Sequence, residues 1–174
     1  ILTPDEFFNA IPEVIEKIES YDTTTVRASV GNYLVGKYIS ENSEAKVIFN
    51  GDGSDELCGG YLYFLNAPSD FHFDFECKRL LNNIHTFDVL RSDRCISTNG
   101  LEPRTPFLDK TFVNSYMSIP IEVRNPLSEY SKYVNNGKVC EKILLRTSFS
   151  KIMPDILPDK ILWRTKEAFS DGVS

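Results

Sequence analysis

The sequence predicts an α/β fold that is mostly helical and built around one buried strand. Three observations carry this reading. Apolar residues recur at helical spacing behind recognisable helix starts. One short β-branched run, Ala45-Lys46-Val47-Ile48-Phe49, is stopped by Asn50-Gly51-Asp52-Gly53. Prolines punctuate a remainder that otherwise reads as helix. At 174 residues, 41% apolar and 25% charged, the chain is long enough to bury a sizeable core and has an ordinary globular composition.

Thr3 can cap a first helix, Pro4 suits its first turn, and Glu6 completes a capping box. Phe7, Ile11, Val14, Ile15 and Ile18 then form a wide apolar face. A second helix is expected from about Thr24 to Glu41, with Val26, Val30, Tyr33, Leu34 and Tyr38 as its buried side. The strand follows, short and β-branched, as strands buried on both faces are. Further helices are expected over about Asp74 to Cys95, Lys110 to Met117 and Val139 to Lys151. Ser128 to Lys138 reads as a polar loop. No second strand is evident, and a lone strand cannot satisfy its own backbone hydrogen bonds. Sheet partners are therefore expected from upstream sequence, and the chain alone is expected to be poorly stable.

Composition excludes several function classes. No run reaches the roughly 20 apolar residues that span a bilayer, and no basic-then-apolar leader opens the sequence. A net charge of −6, with no basic stripe, argues against a nucleic-acid partner. Cys58, Cys77, Cys95 and Cys140 form no C-x-x-C pair, and His72 and His85 are the only histidines, so no zinc site is expected. Free thiols in a reducing, cytoplasmic setting are.

The most informative segment is Asn50-Gly51-Asp52-Gly53-Ser54-Asp55-Glu56-Leu57-Cys58-Gly59-Gly60-Tyr61. It follows the strand, where open α/β sheets bind ligands. Glycines admit close backbone approach, and clustered carboxylates suit Mg²⁺ shared with phosphates. A dinucleotide fingerprint fails because Glu56 stands at its third glycine; an EF-hand fails at Asp55 and Tyr61. The residues by themselves support either a ligand site or a turn whose solvated acids favour a helix start.

Gly51-Asp52-Gly53-Ser54-Asp55-Glu56-Leu57 with Gly59-Gly60-Tyr61-Leu62-Tyr63-Phe64 resembles the second signature loop of glutamine-dependent asparagine synthetases. Four further segments resemble that family in its order: Ile18 to Ser29, Phe87 to Arg94, Gly100 to Asp109, and Ile161 to Gly172. The resemblance implies a partial synthetase domain over 1–174, of the adenine-nucleotide-hydrolase-like, ATP-pyrophosphatase type. Such a domain adenylates aspartate with ATP and Mg²⁺ as cofactors. Ammonia, released from glutamine by a separate glutaminase domain, then displaces AMP. The implied partners are these small molecules and, in the intact enzyme, a second subunit of a homodimer.

Carried over by resemblance, Gly51 contacts the nucleotide through its backbone. Asp52 stands where several members carry a proton-handling glutamate. Asp55 helps bind Mg²⁺ with pyrophosphate, and Thr24 and Arg27 hold oxyanions of substrate or leaving group. Lys166 stabilises the transition state. Glu56 and Arg104 form a buried pair holding the loop. Without its flanking motif Lys166 would be a surface lysine, and Arg27 a solvated helix residue. His85 reads as a packed or capping residue, Tyr61, Tyr63 and Phe64 as core, and Cys58 as a small buried hydrophobe.

The family's serine-glycine-glycine-x-aspartate-serine nucleotide loop and its glutaminase cysteine do not occur in this sequence, and Asn50 stands where the family often has serine. The chain by itself is therefore expected to make no asparagine. Two alternatives are an acid-adenylating relative of the β-lactam-synthetase kind and a non-catalytic interaction module. The segment from Tyr21 to Ser29 favours the asparagine branch over the first.

Overall fold

A computed structural model describes residues 2–167. In chain order its elements are α1 (Pro4–Ile18), α2 (Thr23–Asn42), β1 (Val47–Phe49), α3 (Ser54–Cys58), α4 (Asp70–Asn83), α5 (Asp88–Ser97) and β2 (Glu102–Arg104). These are followed by α6 (Lys110–Met117), α7 (Ile121–Arg124), α8 (Glu129–Val134), α9 (Ile143–Ile152) and α10 (Asp159–Leu162). Short 3₁₀ turns lie at Leu62–Asn66, Ile84–Thr86 and Pro106–Leu108. The described residues form two compact units, each made of separate chain segments. One comprises the residues up to Asp52 with Asn83–Pro106, the other Gly53–Asn82 with Phe107–Lys166.

In the first unit α1, α2 and α5 pack on one another. The start of α1 is the expected capping box: Thr3 Oγ1 accepts from the Glu6 N–H at 3.2 Å, and Glu6 Oε2 accepts from the Thr3 N–H at 2.7 Å. Ala10, Val14 and Ile18 meet Val26, Val30, Tyr33 and Cys95 in a shared core, with Phe7, Ile11, Ile15 and Leu34 half-buried against it. Tyr38 departs from the expected buried face and is 66% exposed. Arg94, on α5, donates to the Ile18 carbonyl and so satisfies an orphan acceptor at the end of α1.

Two expectations about the sheet are corrected. A second strand exists: β2 pairs with β1 in parallel, Val47 opposite Glu102, Ile48 opposite Pro103 and Phe49 opposite Arg104. Flanking bonds run from the Glu102 N–H to the Lys46 carbonyl at 2.7 Å and from the Asn50 N–H to the Arg104 carbonyl at 3.0 Å. Pro103, lacking an N–H, hid this strand, because proline argues against a central strand and is tolerated at an edge. Nor is β1 buried. Val47 and Phe49 are 46% and 77% exposed, and only Ile48 is half-buried.

The long helix expected from Asp74 to Cys95 is two helices. The 3₁₀ turn Ile84–Thr86 separates α4 from α5, and Thr86 Oγ1 donates to the Asn83 carbonyl at 2.7 Å. That local bond gives the backbone an alternative to helix. The loop expected over Ser128 to Lys138 contains α8, started by Ser128, whose Oγ accepts from the Ser131 N–H at 2.9 Å.

In the second unit Leu57, Cys58 and Tyr116 form a core, with Val113, Met117, Ile119 and Leu144 packed against it. Phe64 meets Phe73 edge-on at 5.2 Å. Arg124, only 2% exposed, donates to Asp74 at 2.5 Å and to the Ile119 carbonyl at 2.9 Å, tying α7 to α4. All four cysteines are free thiols. Among the described residues no helix is long and apolar enough to cross a membrane.

Candidate functional site

The loop after β1 begins in the first unit. Asn50 Nδ2 donates to Ser92 Oγ at 2.6 Å, while its Oδ1 accepts the Asp52 N–H at 3.2 Å. One amide side chain thus anchors the loop to α5 and bends the backbone after it, in the manner of an Asx turn. Gly51 is exposed, and a Cβ there would meet nothing within 4 Å. Asp52 is half-buried.

From Gly53 the chain belongs to the second unit. Gly53 has φ +85°, and a Cβ would lie 2.2 Å from Leu108 Cδ2, so the position requires glycine on both counts. The five residues of α3 follow. At its end the Gly60 N–H donates to the Asp55 carbonyl at 2.7 Å. A Cβ on Gly60 would stand 2.0 Å from Asp55 Oδ1 and 2.3 Å from Lys142 Cε. Gly60 therefore leaves the room that an ion pair occupies.

Two lysines share that carboxylate. Lys142 Nζ lies 2.9 Å from Asp55 Oδ1 and donates to Ser54 Oγ at 3.1 Å. Lys166 Nζ donates to Asp55 Oδ2 at 3.1 Å and sits 5.9 Å from the centre of the Tyr61 ring. The three charged side chains are about one-fifth exposed, at 19–21%, so solvent screens them only in part. Two ammoniums on one carboxylate leave a net positive centre, suited to developing negative charge. Lys142 itself has φ +56° at the start of α9, an uncommon conformation for a residue with a Cβ.

Glu56 is buried at 1% exposure, and Tyr61 Oη donates to its Oε1. Arg104, the partner expected for it, belongs to the first unit, where it is exposed and pairs with Glu102 at 2.6 Å. The alternating exposure of β2 turns Arg104 outward. Each member of the expected pair thus has a partner within its own unit.

Thr24 and Arg27 are exposed on α2, three residues apart, and so share a face close to its start. Asp22 caps that helix. Its Oδ1 accepts from Thr25 Oγ1 at 2.7 Å and from the Thr25 N–H at 2.8 Å, and these bonds hold the carboxyl below its ordinary value. Of the resemblance-derived residues, the second unit brings together Asp55 and Lys166. Thr24, Arg27, Gly51, Asp52 and Arg104 belong to the first unit. The motif residues Ala168 to Gly172 lie outside the described residues.

Sequence reasoning missed Lys142, Ser54 and the structural need for Gly60. Lys142 is 88 positions from Ser54, and nothing in its flanking sequence distinguishes it from a helix-surface lysine. Tyr61, read as core, is instead the phenol on Glu56 and the ring beside Lys166.

The Mg²⁺ expected at Asp55 does not fit this arrangement. Both carboxylate oxygens already face ammoniums, and a divalent cation there would meet two positive charges. Among the described residues no cluster of three or more His, Cys, Asp or Glu could hold a metal ion.

A short parallel sheet among helices, followed by a glycine-braced acidic loop with two lysines on one carboxylate, is compatible with an α/β protein. The particular family follows from comparison with known proteins. The family model described as Asparagine synthase matches residues 1–77 and 66–174, and the chain belongs to that family. It is 49% identical over 174 residues to an asparagine synthetase [glutamine-hydrolyzing] of Gallus gallus and to one of Mesocricetus auratus. It is 48% identical over the same length to that of Homo sapiens. In each case all of this chain is covered, and it spans 29% of the relative's length.

Proposed function

We propose that this chain forms part of an asparagine synthetase that adenylates aspartate with ATP and then amidates it with ammonia derived from glutamine. The products are asparagine, AMP and pyrophosphate. The observation that carries this reading is the convergence of Lys166 and Lys142 on Asp55, within a chain of the Asparagine synthase family.

Both half-reactions build up negative charge. When aspartate's carboxylate attacks the α-phosphorus, charge grows on the phosphoryl oxygens; when ammonia attacks the acyl carbon, it grows on the carbonyl oxygen. An ammonium poised beside the reacting atoms stabilises both. Lys166 is assigned that part. Asp55 holds it in a defined position while neither oxyanion is present, and the Tyr61 ring restricts its approach. Thr24 and Arg27 are assigned to oxyanions of the acid substrate or leaving group, since a guanidinium fork suits carboxylate and phosphate alike. Gly51, open on its side-chain side, is assigned backbone contact with the nucleotide. Asp52 is assigned proton transfer as ammonia attacks. No step is given to a metal at Asp55.

The test is aspartate-dependent AMP release by the enzyme that carries this chain, with and without Lys166→Ala. A fall of roughly 10²–10³-fold is expected. Unchanged turnover would refute the assignment.

A further inference from the structure

Two lysines can meet one carboxylate only if the chain segments bearing them are held in register, and one side chain in the second unit holds both. Arg146 lies on α9. Its Nε donates to the Glu141 carbonyl at 3.0 Å, and its Nη2 donates to Glu141 Oε1 at 2.5 Å, fixing the residue next to Lys142. The same guanidinium reaches the segment that leads to Lys166. Nη1 donates to the Leu162 carbonyl, and Nη2 donates to the Arg164 carbonyl at 3.0 Å. Glu141 is 5% exposed and the Arg146 side chain 14%; the bonds to Glu141 and Leu162 are partly buried, while the bond to the Arg164 carbonyl is exposed.

The donor count explains the residue type. Two segments are joined through three backbone carbonyls and one carboxylate, and only a planar guanidinium presents enough fixed donors for that. A lysine offers one nitrogen and would hold one segment. The strained backbone at Lys142, with φ +56°, adjoins the anchored Glu141. Such a conformation persists only where its surroundings over-determine it.

We propose that Arg146 is a positioning residue that sets the Lys142 and Lys166 ammoniums on Asp55 by clamping the segments that carry them. The effect on the reaction rests on the role assigned to Lys166; the clamp itself is a claim about this chain's geometry and is testable without substrate.

The first measurement is competitive acylation of lysines with acetic anhydride, read by mass spectrometry on the whole chain. In the unaltered protein Lys142 and Lys166 should label slowly relative to Lys78 and Lys132. With Arg146→Gln, labelling of both should rise roughly tenfold, the scale of one charge-assisted hydrogen bond, while Lys78 and Lys132 keep their rates. Glu141→Gln should raise Lys142 labelling in the same direction and serves if Arg146→Gln does not fold. Trp163, the only tryptophan, lies between the two clamped carbonyls. Its emission should shift in Arg146→Ala and return on adding millimolar ethylguanidinium, a recovery that loss of packing alone would not give. Unchanged labelling in Arg146→Gln, a rise at only one lysine, or absence of guanidinium rescue would each overturn the clamp. If the clamp holds but Lys166→Ala leaves turnover intact, the catalytic assignment has failed and the clamp has not.

Discussion

At the scale of single residues, glycines and cysteines discriminate best, because each environment is explicit. Gly51 and Gly60 lie in one loop and make opposite demands. Gly51→Ala meets open space at an ordinary φ, so its stability should stay within about 0.5 kcal/mol of the parent. Gly60→Ala would force its Cβ into the Asp55–Lys142 pair and should lower the denaturation midpoint clearly. Urea titration of the two variants checks the contrast. The thiols sort similarly. Burial pushes Cys58 up to about 11 and Cys77 up to about 12, and it also raises Cys95. Cys140 is raised too, yet it is the one thiol that is not fully buried. Iodoacetamide at pH 8 should therefore modify Cys140 first and leave the others largely untouched until unfolding. The loop stood out in the sequence because glycines and acids cluster locally. Lys142 was not, because its partnership with Asp55 and Ser54 is made by tertiary folding across a long span of chain.

At the scale of elements, legibility followed the strength of local signals. The capping box of α1 and the bounds Lys110–Met117 of α6 were readable because caps and spacing agree there. The break between α4 and α5 depends on a weak competitor, one threonine hydroxyl bonding back to a carbonyl, and apolar periodicity ran across it. Helix α8 was obscured by the polar composition of Ser128 to Lys138, although Ser128 is a good cap. That serine makes two bonds, accepting from the Ser131 N–H and donating to the Glu122 carbonyl, and is 9% exposed. Ser128→Ala should cost about 1–2 kcal/mol, measured by urea unfolding, since it removes a cap and leaves a carbonyl unpaired. Ser128→Asp should recover part of this if capping dominates. No recovery would assign the loss to the Glu122 contact.

At the scale of the whole molecule, 25 acidic residues against 19 basic ones make acid the informative perturbation. Asp74 is central to it. Burial by itself would raise this carboxyl, but the hydrogen bonds and charges of Arg124 and Lys78 outweigh burial and hold it below its ordinary value. A carboxyl lowered in the folded state binds fewer protons there than in the unfolded chain. Its stabilisation is therefore fully present above the ordinary carboxylate value and is lost as pH falls through the folded value. Stability should be flat near neutrality and decline below about pH 4. Asp74→Asn should be less stable at pH 7 and decline less steeply in acid. Removing the other partner is worse at neutral pH: Arg124→Met leaves the carboxylate at the α4–α7 contact with only the exposed Lys78, at a cost of roughly 3–5 kcal/mol. Adding Asp74→Asn to Arg124→Met should restore part of that loss, because the buried charge is then gone. A double variant as unstable as the sum of the singles would mean that the Arg124 bonds to Ile119 and Met117, rather than its pairing with Asp74, hold α7 in place.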